Sequence, residues 1–156
     1  MTPPQARNGI RKALIGIIDP QPTKASIAAM WGHFESSCAF CSVVLDRKSR
    51  SGHGDHLVPA SAGGRNHVCN RVLACATCNG DEKLDKDWVA FLKAKSPNAE
   101  EFGKRKRRIE SWREAHQASC QVSEETVAAA MNAAEQAIEA FNHACETVRA
   151  LRPAQT

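Results

Sequence analysis

The 156-residue sequence predicts an α+β fold that is mainly helical, with a small strand–loop–strand unit held together by cysteines. Three observations carry that expectation. Apolar residues recur at helical spacing near the start of the chain and again after residue 97. Between them the pattern changes to short β-branched runs broken by Gly, Pro and Asn. Four of the seven cysteines form two C-x-x-C pairs, Cys38/Cys41 and Cys75/Cys78. Two intervening residues let a tight knuckle aim both sulfurs at one tetrahedral ion.

The first helix is expected to start at Pro3-Pro4 and to stop at Asp19-Pro20, with Ile10, Ala13, Leu14, Ile17 and Ile18 on its inner face. A second runs from about residue 23 to 34, with Ile27, Met30, Trp31 and Phe34 inward. CAFCSVVLDR reads as a knuckle leading into a strand, KSRSGHG as a flexible link, DHLVPA as a short strand ending at Pro59, and RVLAC as a second strand. From Ala76 the pattern is helical again, with Leu84, Trp88, Phe91 and Leu92 as its apolar stripe. Asn98 followed by Glu101 resembles a capping box, opening a helix with Phe102, Ile109 and Trp112 inward. The last helix, about residues 123–151, carries a weak heptad seam through Val127, Met131, Ala134, Ile138, Phe141, Cys145 and Val148. Three segments result: 1–34, 35–96 and 97–156.

Composition sets outer bounds. With 42% hydrophobic and 24% charged residues the chain reads as soluble and globular. Its early apolar run, ALIGII, is too short to cross a bilayer, and no small-residue cleavage site follows it. A cytosolic protein is therefore expected. In a reducing compartment an odd number of cysteines with two C-x-x-C pairs favours metal over disulfides. Four thiolates leave no open position, so a zinc ion at Cys38, Cys41, Cys75 and Cys78 would be structural. Cys69, Cys120 and Cys145 have no such spacing and read as small buried apolar residues. The net charge of +4 is uneven: from Ser119 onward two Arg face five Glu, so the preceding body carries +7. Such a body suits a polyanionic partner.

Between the cysteine pairs lie Asp55-His56, Gly63-Gly64 and Asn70, and Asn79 follows the second pair directly. The pieces DHLVPASAGG, NRVLAC and CATCN, in that order, resemble the HNH endonuclease family in its four-cysteine, zinc-bound branch. The resemblance covers residues 38–83, under a third of the chain. It implies a ββα-metal core, with His56 as general base, Asp55 and Asn79 as ligands of a catalytic ion, and Asn70 as a brace that holds His56 across the loop. The chemistry of the residues agrees. A neutral imidazole near pH 7 accepts a proton from water. A carboxylate and an amide oxygen suit Mg²⁺ or Mn²⁺, which supplies counter-charge to a phosphodiester and to its departing oxygen. Asn79 stands where the family name has His, which moves the expected ion towards Mg²⁺ or Mn²⁺.

The run Lys104, Arg105, Lys106, Arg107 and Arg108 offers phosphate contacts without sequence specificity, and Arg65, Arg71 and Lys83 lie closer to the site. DNA is thus the expected partner. The heptad seam allows packing on the chain's own helices, a homodimer or a protein partner. Two other readings stand beside the nuclease: a zinc-stabilised nucleic-acid-binding module without catalysis, and a nuclease subunit of a larger complex. His33, His116 and His143 are given no role.

Overall fold

The computed structural model describes residues 2–49, 51–117 and 122–151. Helix α1 (Pro3–Ile18), helix α2 (Lys24–His33), strand β1 (Gly52–His56), strand β2 (Arg71–Cys75), helix α3 (Trp88–Lys95), helix α4 (Ala99–His116) and helix α5 (Glu124–Ala150) follow in order. Short 3₁₀ turns lie at Ala60–Ala62 and Val68–Asn70, and a π-helix at Thr77–Glu82. The chain is mainly helical with one two-stranded antiparallel sheet. No described helix is long and apolar enough to cross a membrane.

Two compact units form. In one, α1 packs on α5. The seam of α5 faces its own chain only in part: Ala134 and Ile138 are buried and Phe141 and Cys145 half-buried, whereas Met131 and Val148 are exposed. Arg11 Nη2 pairs with Glu135 Oε1 at 2.7 Å, and Arg7 Nη1 donates to Asn142 Oδ1 at 3.1 Å. The inner face of α1 differs from the expected stripe. Ala13 and Ile17 are exposed, whereas Ile15 is half-buried.

The other unit runs from Gln21 to the end of α4. Its core joins Met30 and Trp31 of α2 and Phe34, which caps it, to Phe40, Leu57, Val72, Leu73, Phe91, Leu92, Ile109 and Trp112. Removing each large apolar side chain from water contributes about 1.5–3 kcal/mol. Polar bonds fix the register of α4 on this core. Trp112 Nε1 donates to the carbonyls of Arg71 (2.9 Å) and Val68 (3.1 Å). Asn98 caps α4 by accepting from the Glu101 amide at 2.9 Å. His33 also has a structural partner, since its Nε2 lies 2.8 Å from the Arg108 carbonyl.

Three local expectations are corrected. Strand β1 begins at Gly52, inside the stretch read as a flexible link, and ends at His56. Glycine is required at position 52 because a Cβ there would stand 2.5 Å from the Trp31 ring. Val44 makes only an isolated bridge to Ser37, not a strand. Leu84 leaves the apolar stripe: it is 59% exposed, with φ at 47°, and breaks the helix that sequence periodicity continues through it.

Candidate functional site

The four paired cysteines converge. Their sulfurs all lie within 4.8 Å of one another, with Cys41 and Cys75 at 3.8 Å. A tetrahedron with metal–sulfur bonds of about 2.3 Å has edges of roughly this length, so the donor set fits zinc. Each knuckle is locally braced. Cys38 N donates to Val43 O at 2.9 Å, and Cys78 N to Cys75 Sγ at 3.4 Å. Ala39 N donates to Leu73 O at 2.7 Å, tying the first knuckle to β2. The thiols perturb one another. A hydrogen bond from Cys78 lowers Cys38 to about 5, burial pushes Cys41 up to about 11, and Cys78, the donor, is raised. Four crowded sulfurs cannot all ionise without a cation, which is what a thiolate-bound metal supplies. Cys145 is a free thiol, but Cys69 is disulfide-bonded, not the lone buried thiol expected. Cys120 lies outside the described residues.

Strand β1 delivers Asp55 and His56 to one cleft of about 410 Å³, lined also by Pro59, Ala60, Lys83, Leu84 and Asp85. Register pairs Asp55 with Val72 and His56 with Arg71, and Leu57 N continues the ladder to Asn70 O at 2.8 Å. The loop beyond β1 is pinned by Asn70. Its Oδ1 accepts from Val58 N, and its Nδ2 donates to Val58 O and Arg65 O, each at 2.9 Å. Gly63 takes φ +78°, and a Cβ on Gly64 would stand 1.8 Å from Val58 O, so this turn admits only glycines.

His56 Nε2 lies 3.3 Å from Asn66 Oδ1. The same oxygen accepts from Arg71 Nη2 at 2.8 Å, which identifies it as the amide carbonyl. A carbonyl only accepts, so Nε2 carries a proton, and in the neutral tautomer Nδ1 is the basic nitrogen. Asn66 escaped the sequence reading because nothing in its spacing marks it.

Asp55 is 8% exposed, and its Oδ2 is buried without a hydrogen bond, though Lys83 Nζ stands 3.4 Å away as an ion pair. Burial raises the Asp55 carboxyl to about 6, against the opposing pull of Lys83. A buried carboxylate oxygen with uncommitted lone pairs fits a hard divalent ion. Asn79, the other expected ligand, is half-buried on the π-helix and is not among the residues lining this cleft; Asp85 is.

The expected phosphate contacts divide sharply. Lys83 is 1% exposed, with Nζ donating to His56 O, so it does not face solvent as expected. Arg71 is committed to the fold, donating to Asn66 O, Gly54 O, Gln21 Oε1 and Asn66 Oδ1. Arg105 donates to the carbonyls of Phe40 and Lys95, and Arg108 to that of His33. Their planar forks satisfy the carbonyl of a knuckle residue, Phe40, and those at the ends of α2 and α3. Lys106 pairs with Glu110 at 2.7 Å, while Lys104 and Arg107 are exposed. Arg65 is half-buried, with Nη1 lacking a hydrogen bond.

Residues 38–83 match the HNH endonuclease family. The HNH segment thus contains the four cysteines, Asp55, His56, Asn66, Asn70, Asn79 and Lys83, and ends just short of Asp85. No curated protein matches the chain, and no solved structure does. The family generally comprises endonucleases, which ties the HNH segment to nucleic-acid chemistry.

Proposed function

We propose that this protein is a metal-dependent HNH endonuclease that hydrolyses phosphodiester bonds in DNA. One observation carries the reading: Asp55 and His56, both within the HNH segment, line a single cleft, and Asn66 Oδ1 lies 3.3 Å from His56 Nε2. His56 Nδ1 takes the proton of the attacking water, and Asn66 accepts from Nε2–H as the ring becomes positive. Asn70 holds the loop that limits where the ring can swing. Asp55 is a ligand of the catalytic ion, with Asn79 or Asp85 as the second oxygen donor. Mg²⁺ or Mn²⁺ there supplies positive charge to the phosphate and to the departing 3′ oxygen. Zinc in the four thiolates is structural. DNA phosphates meet Lys104, Arg107 and Arg65.

Supercoiled plasmid incubated with Mg²⁺ or Mn²⁺ is expected to be nicked or linearised, and EDTA is expected to stop this. A second reading, a zinc-stabilised DNA-binding module without catalysis, draws on the absence of Asn79 from the cleft lining and on the ammonium beside Asp55. Plasmid retained in a gel shift but never cut, with either ion, supports that module and rejects the enzyme.

The charge run gives a separable prediction. Lys104→Ala with Arg107→Ala is expected to weaken DNA binding and reduce the salt slope by about one per lost contact, with stability changed by less than about 0.5 kcal/mol. Arg105→Ala or Arg108→Ala is instead expected to destabilise the fold by about 1–3 kcal/mol, because buried carbonyls lose their donors. Fluorescence anisotropy across a salt series and urea unfolding measure the two effects.

Ion binding is also expected to depend on pH. Asp55 is ionised above about 6 and neutral below it. Only the carboxylate holds a hard cation, so Mn²⁺ affinity falls as the pH drops through that value, about tenfold per pH unit below it. Calorimetry between pH 7.5 and 5 in a His56→Ala background isolates Asp55, with zinc content checked at each pH.

A further inference from the structure

Lys83 has the least exposed charged side chain among the described residues, yet its ammonium touches both halves of the Asp55-His56 pair. Nζ lies 2.5 Å from His56 O, 3.5 Å from Leu84 O and 3.4 Å from Asp55 Oδ2. Two of its three donors are thereby directed at carbonyl oxygens. Its attraction to Asp55 is then coulombic, since Asp55 Oδ2 has no hydrogen bond. The lone pairs of that oxygen remain uncommitted while its charge is balanced.

The position of the ammonium is set by the backbone. The π-helix closes with Lys83 N donating to Cys78 O at 3.1 Å, so Lys83 follows directly on the cysteine site. The chain then reverses at Leu84 in a left-handed conformation. Lys86 N returns to Lys83 O at 2.9 Å. A lysine held at both sides of its own backbone and buried along its stem does not swing out when an ion arrives. At 1% exposure it is also out of reach of a DNA phosphate.

We propose that Lys83 is the cleft's resident counter-cation and a positioning residue for Asp55 and His56, holding the backbone that carries the imidazole and setting how tightly a divalent ion binds at Asp55. The proposal rests on the nuclease reading of the same cleft for the ion's role. Before an ion binds, the ammonium keeps a buried carboxylate from standing as an isolated charge, which is costly. Once an ion binds, two cations share one carboxylate, and affinity is held below what the oxygen donors alone would give. His56 O keeps its anchor throughout, so the imidazole does not shift as the ion comes and goes.

The test is Mn²⁺ binding to the full chain without DNA, followed by water-proton relaxation. Lys83→Met is expected to keep its zinc and to bind Mn²⁺ about tenfold more tightly, because a like charge has been removed. Its cleavage at saturating Mn²⁺ is expected to fall by about 10–100-fold, because the His56 backbone has lost its anchor. A folded, zinc-loaded Lys83→Met with wild-type Mn²⁺ affinity overturns the proposal. Should that variant fail to fold, ¹⁵N spectra of the wild-type lysine ammonium groups decide. A buried Lys83 gives a slowly exchanging signal, expected to shift with Mg²⁺ in the wild type and not in Asp55→Asn. A signal indifferent to Mg²⁺ rejects the counter-cation. Neither the Mn²⁺-binding nor the ¹⁵N readout uses DNA, so a wild type that binds the ion but never cuts plasmid ends the nuclease reading and leaves the ion result standing.

Discussion

Replacing His56 with alanine is expected to lower plasmid cleavage by about two to four powers of ten, while zinc content, melting and DNA binding stay near wild type. The size of the loss follows from what the ring does. Asn66 accepts from Nε2–H, so Nδ1 is the nitrogen assigned as base, and His56 is the only imidazole among the residues lining the cleft. The side chain is not part of the central apolar core, so its removal leaves the packing of α2, β2 and α4 in place. Time courses at saturating Mg²⁺ measure the effect. Equal rates for wild type and variant would show that His56 is not the base.

The second large effect is on folding. Cys75→Ser is expected to release the zinc and to unfold the unit that runs from Gln21 to the end of α4. Structural zinc contributes about 10–16 kcal/mol in zinc-finger peptides, as much as the whole stability of an ordinary domain. Cys38 and Cys78 are themselves core residues, 2% and 1% exposed, in the same cluster as Phe40 and Leu73. Losing the ion therefore loosens packing as well as ligation. All three tryptophans report on this unit, since Trp31, Trp88 and Trp112 are buried in its core. Their emission is expected to move red in Cys75→Ser, with metal analysis falling from about one zinc per chain towards none. Blue emission with zinc retained would mean that Cys75 is not a ligand.

How much was legible in the sequence depended on whether a residue's role is local. The two C-x-x-C pairs were readable because two-residue spacing is itself the geometry of a metal knuckle. RVLAC was readable as β2 because its β-branched run is bounded by polar residues. Asn98 was readable as a cap because its partner is three residues on. Lys83, Arg71, Arg105 and Arg108 were not readable. A cation in a polar stretch looks the same whether it meets water or a carbonyl 65 residues away, as Arg105 does. Gly52-His53-Gly54 looked like a link because glycine is read as flexibility. Here one glycine makes room for Trp31 and the segment is strand. The break at Leu84 was invisible to periodicity, and Asp85, the residue after it, lines the cleft that the expected Asn79 does not.

Diffraction from crystals soaked in Mn²⁺, with anomalous data at the zinc and manganese edges, locates both ions. Zinc is expected among the sulfurs of Cys38, Cys41, Cys75 and Cys78, and manganese on an Asp55 carboxylate oxygen in the cleft lined by His56. Manganese bound elsewhere, or no ion at Asp55 under concentrations that support cleavage, would contradict that placement.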